Sequence, residues 1–70
     1  MELNGEKLTI LLDHMLHHNK HHSEEIAEIA ETAEKLGKAE IASLIKSAKE
    51  LQDQANDKLQ AALDLAAKGE

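Results

Sequence analysis

The chain has no cysteine, no proline, no arginine, no valine and no aromatic residue. Without Cys, thiol catalysis, disulfide frameworks and thiolate zinc sites are excluded, and nothing in the chain would register the redox state of its compartment. Without Val, Phe, Tyr or Trp, and with only two Thr, residues that favour strands are almost missing, so all-α is the one fold class open. No apolar run is longer than the three residues of Ile10–Leu12, far short of the roughly 20 that cross a bilayer. No basic segment followed by a long apolar one reads as a secretory signal. Eight scattered Lys face 14 acidic residues, for a net charge of -6. Phosphate binding needs clustered basic residues, and single-strand binding adds stacking rings, so no nucleic-acid partner and no membrane partner is expected. A soluble, cytoplasmic protein is the expectation. With 70 residues the chain forms one helical domain over 1–70. A chain of this size buries only about 60% of its unfolded surface, which makes association the expected route to stability.

What is present is helical periodicity interrupted by one glycine. Leu8, Leu11, Leu12, Met15, Ile26, Ile29, Ala30, Ala33 and Leu36 recur at helical spacing, and Gly37 follows where a left-handed residue closes a helix. Asn4 is placed to cap the start, so the first helix is predicted over about 5–36. Ile41, Leu44, Ile45, Ala48, Leu51, Ala55, Leu59, Ala62, Leu63 and Ala66 continue the pattern, predicting a second helix over about 39–67. Each is about 45 Å long, and the short connection makes them antiparallel neighbours in a long hairpin. Each apolar stripe is wider than one neighbour can cover, so a homodimeric four-helix bundle is the natural completion. The alternative is a three-helix bundle broken near 21–23, with Ser23 as a cap before Glu24 and Glu25. The continuous helix is preferred because the seam Leu8, Leu11, Met15, His18, His22, Ile26, Ile29, Ala33, Leu36 keeps its register through that point. The acidic positions Glu24, Glu28, Glu31 and Glu34, paired with Lys35 and Lys38, read as an ordinary solvated face.

The unusual chemistry lies between His14 and His22, which hold all five histidines: His14, His17, His18, His21 and His22. Placed at about 100° per residue, His18 and His22 fall inside the apolar stripe, His14 and His21 on its border, and His17 away from it. In a hairpin folded about Gly37, Gln52 would stand opposite His22 and Asn56 opposite His18, giving one polar layer in an otherwise apolar core.

Two uses of that layer compete. Imidazoles four residues apart on a helix chelate one divalent ion, and both His14 with His18 and His18 with His22 have that spacing. His14 and His22 are about 12 Å apart along the axis, too far to share one ion. In a symmetric dimer with the first helices adjacent, His18 and His22 of both chains complete a four-nitrogen site suited to Zn²⁺, Ni²⁺, Co²⁺ or Cu²⁺. Asp53 and Asp57 project off the second helix's stripe and rank low as further ligands. In the second use there is no metal: the neutral imidazoles hydrogen-bond across the core, fix register for a structural or protein-interaction module, and are loosened by acid.

Catalysis is not expected. Ser23, Ser43 and Ser47 sit in no Gly-x-Ser-x-Gly turn, and there is no glycine-rich phosphate loop. A dimeric helical hairpin with a histidine on its first helix is also the architecture of the phosphotransfer domain of sensor kinases. Here, however, no histidine is followed directly by Asp or Glu, and the Pro of that motif is missing.

The stretch Leu11-Leu12-Asp13-His14-Met15-Leu16-His17-His18-Asn19-Lys20-His21-His22, followed by Glu24 and Glu25, resembles a small prokaryotic helical family of unknown function. Its signature is Leu-Leu-x-His-x-x-x-His-Asn-x-x-His. The resemblance covers about a fifth of the chain and singles out His14, His18, His22 and Asn19, leaving His17 and His21 as additions. The chain departs from the pattern with Met15 where that family carries Trp and Asp13 where Pro is common. The reading carried forward is a small histidine-rich protein that binds a divalent transition metal in an accessory, storage or sensing role.

Overall fold

Asn4 begins the first helix: its backbone is extended and its side chain accepts the Lys7 backbone N–H at 2.9 Å, meeting one of the orphan donors at a helix start. The computed structural model describes residues 4–69 and holds two helices, α1 (Gly5–Lys35) and α2 (Ala39–Ala67). The turn between them follows from Gly37, whose φ of +74° is in the left-handed region. Lys38 N–H bonds to the Ala33 carbonyl and Gly37 N–H to that of Glu34, both at 2.9 Å. This is the Schellman arrangement, which satisfies the last carbonyls of α1 while reversing the chain. The predicted bounds therefore hold to within a residue. α1 runs unbroken through 21–23, so the three-helix alternative is set aside: Ser23 is not a cap but a buried residue in mid-helix.

Within the hairpin the seam differs from the predicted one. The α1 residues turned toward α2 are Leu12, Leu16, Asn19, Ser23, Ile26, Ala30 and Ala33, buried or half-buried at steps of three and four. They meet Ala42, Ile45, Lys49, Gln52, Asn56, Leu59, Leu63 and Ala66 at the same steps on α2. Of the expected seam only Ile26 and Ala33 face inward. Leu8, Leu11, Met15, His18, His22, Ile29 and Leu36 are exposed. The reason is size and polarity together. Ser23, Ala30, Ala33 and Ala42 are small enough for helices to sit close, and of the polar groups Ser23 pairs across the contact with Asp53 while Lys49 and Gln52 pair along α2.

The result is a slender rod of 49 × 19 × 14 Å with a radius of gyration of 15.8 Å, against about 11 Å for a compact chain of this length. Leu16 is the one large buried hydrophobic residue among those described, with Ala30, Ala33 and Ala42 completing the enclosed apolar set. An ion pair from Lys46 to Glu34 ties the helices near the turn.

Candidate metal centre

The polar layer expected at the middle of the hairpin exists, with other residues in it. Asn19 and Ser23 occupy the inward places assigned to His18 and His22. Ser23 donates to Asp53 Oδ1, Lys49 Nζ donates to Asp53 Oδ2 at 2.6 Å, and Gln52 Nε2 donates to the Asn56 side-chain oxygen at 3.1 Å. Among the described residues no buried side-chain nitrogen or oxygen lacks a hydrogen-bond partner, so the layer is closed and needs neither a histidine nor an ion. Asp53 is half-exposed, and the Lys49 ammonium, then the Ser23 hydroxyl, hold its carboxyl below the ordinary value of 3.8. Its two oxygens already accept from a serine and a lysine, and it stands apart from the histidines in no group that could hold an ion among the described residues. Asp57 is exposed on the far helix.

The histidines lie one step around α1 from this seam. His18 and His22, four residues apart, turn their rings toward each other: the Nε2 atoms are 2.9 Å apart, with ring centroids at 4.3 Å and planes at 89°. Behind His22, Glu25 Oε1 lies 3.2 Å from Nδ1. A carboxylate there favours the tautomer with the proton on Nδ1, the one that leaves the His22 Nε2 lone pair toward His18. In that tautomer the 2.9 Å contact is a hydrogen bond donated by His18 Nε2. Two nitrogens bound to one Zn²⁺ at tetrahedral angle are about 3.3 Å apart, and at right angles about 2.9 Å, given bonds of about 2.05 Å. A chelate would need the proton of His18 on Nδ1, the two nitrogens a few tenths of an ångström further apart, and the rings turned so that both lone pairs converge on one point.

The other three histidines do not join this pair. His21 Nε2 is 3.8 Å from the same Glu25 oxygen and its side chain is 72% exposed. His17 is 79% exposed, with Nδ1 3.1 Å from the Asp13 carbonyl and 3.6 Å from its carboxylate. His14 is exposed and lines a shallow groove with Leu11, Met15, His18 and Asn19. Among the described residues no three His, Asp or Glu side chains stand together as a complete ligand set. One hairpin thus offers two nitrogens and an orienting carboxylate. Glu25 was missed by sequence reasoning, although its i+3 spacing from His22 was a usable signal.

No helix among the described residues is long and apolar enough to cross a membrane. Comparison with curated proteins returned no match, and neither did comparison with solved structures. A family model described as a domain of unknown function, DUF8180, matches residues 8–66, which spans both helices and every histidine. The chain belongs to that family.

Proposed function

We propose that the protein binds a divalent transition metal ion, Zn²⁺, Ni²⁺, Co²⁺ or Cu²⁺, through Nε2 of His18 and His22, and serves an accessory, storage or sensing role rather than catalysis. The observation that carries this is the 2.9 Å approach of the two Nε2 atoms with Glu25 at the back of His22. A carboxylate on the remote nitrogen of a ligating imidazole fixes its tautomer and raises its basicity, and such supports contribute about 10- to 100-fold in affinity. Nitrogen ligands without carboxylate in direct coordination favour the transition metals over Ca²⁺ and Mg²⁺.

The second reading, a structural or protein-interaction module without metal, is favoured by the closed layer of Ser23, Asp53, Lys49, Gln52 and Asn56, which already supplies the register-fixing polarity. The two readings separate on one experiment. EDTA-stripped protein is titrated with each ion while the imidazole nitrogens are followed by NMR, on wild type, His18→Ala and His22→Ala. Metal binding gives saturable shifts at His18 and His22 at micromolar ion, lost in either variant. Shifts confined to His17 and His21, indifferent to both substitutions, would leave only surface adsorption and hand the function to the interaction module.

A further inference from the structure

The hairpin leaves one broad face uncovered, and its register states what fits it. On α1 the exposed positions 8, 11, 15, 18, 22, 25, 29, 32 and 36 advance by alternating threes and fours, as do 41, 44, 48, 51, 55, 58, 62 and 65 on α2. At about 100° per residue each stripe lies some 100° from its helix's inward face, and in antiparallel helices both displacements fall on the same side of the hairpin. This single face carries Leu11, Met15, Ile29, Ile41, Leu44 and Leu51, exposed by 48 to 73%. Of the charged residues described, only Glu25 and Lys58 lie on it, in a chain of net charge -6. Two copies can therefore bring these faces together while keeping their remaining acidic residues apart. The accessible surface is 5457 Å², whereas a compact monomer of this mass exposes about 4,300 Å². That surplus exceeds the roughly 800 Å² that each partner contributes to a standard interface.

We propose that a second copy of this chain covers the face in an antiparallel two-fold arrangement, and that its His18 and His22 meet those of the first in one four-nitrogen centre. The metal half of this rests on the reading above. The midpoint of Gly5–Lys35 is residue 20, and His18 and His22 flank it equally. A two-fold axis crossing α1 there sets His18 against the second copy's His22, Leu11 against its Ile29, and Leu8 against its Thr32. Residue 20 stands level with about residue 55 of α2, as Ser23 stands beside Asp53 across the hairpin, so the same axis sets Ala48 against the second copy's Ala62 and Ala55 against its own counterpart. Leu11 and Ile29 then bury each other along α1, while small alanines meet along α2 and let the two copies approach. A parallel copy would instead bring Lys58 of one chain to the level of His18 of the other, placing an ammonium beside the centre.

The test joins oligomeric state, geometry and stoichiometry. Sedimentation of metal-free and Zn²⁺-loaded protein should give a dimer. Leu44→Glu and Leu51→Glu, at positions 73% and 66% exposed in one hairpin, should give helical monomers. Since the chain has no Cys, a nitroxide on Lys35→Cys, which points away from the face, labels one site per copy. Electron spin measurements should read about 45 Å in the antiparallel dimer, from 30 residues at 1.5 Å each. Bound zinc should saturate at one ion per two chains. A monomer at all concentrations, or dimers that ignore both glutamates, overturns the interface, and a short spin separation overturns the antiparallel geometry. One ion per chain in an intact dimer overturns the shared centre. A dimer with the long separation that takes up no zinc supports the interface and refutes the metal reading alone.

Discussion

Asp53 does at the residue scale what the histidines were expected to do, binding the two helices across a polar layer. Its carboxyl is held below 3.8 by Lys49 and Ser23, so the folded state releases its proton more readily than the unfolded chain. The stability this contributes is present above the ordinary carboxylate range and is lost as pH falls through the lowered value. Chemical denaturation between pH 5 and 2 should show stability falling on the acid side, and Asp53→Asn should flatten that slope. Leu16, 3% exposed, is the largest enclosed apolar side chain among the described residues. Leu16→Ala should cost about 3 kcal/mol, from lost burial plus the cavity, read as a lower midpoint in urea. Glu25→Gln keeps the size of the side chain but weakens the acceptor behind His22. It should lower metal affinity about 10-fold or more with no change in helix content, measured by competition with a chromophoric chelator. The five-histidine cluster was legible from the sequence, but which two histidines pair depends on ring directions that spacing alone leaves open, since His14 and His18 have the same i, i+4 relation.

The boundaries of both helices could be read in advance because each is marked by a local device. Asn4 caps the first, and Gly37 ends it with a positive φ. A Cβ at Gly37 would meet nothing within 4 Å, so the cost of Gly37→Ala is conformational alone, about 1 to 2 kcal/mol. Gly5 also has open space around it but is helical, so Gly5→Ala should stabilise by about 0.5 to 1 kcal/mol. Thermal unfolding of the two variants should move in opposite directions. The inward face was not legible in the same way. Each helix carries two adjacent stripes of equal periodicity, and a pattern search favours the more hydrophobic one. The hairpin closes on the other, where Ser23, Ala30, Ala33 and Ala42 are small and Ser23, Lys49, Gln52 and Asn56 have hydrogen-bond partners.

At the scale of the whole molecule, a two-helix rod with one large buried hydrophobic residue among those described has little core to hold it. Its midpoint of thermal unfolding should therefore rise with protein concentration, and rise again with Zn²⁺ by mass action, the ion adding about 2.7 kcal/mol of stability at 100 times the dissociation constant. Calorimetry over a 100-fold range of concentration, with and without the ion, reads both. Composition alone determined that this chain is helical, because it holds almost nothing that prefers a strand. Local signals at Asn4 and Gly37 determined that it is a hairpin, because caps and left-handed glycines act within a few residues. Only the tertiary structure decided which stripe turns inward and which histidines stand face to face. Those choices depend on how closely two backbones can approach and on where each polar group finds a partner, and neither is a property of one helix taken alone.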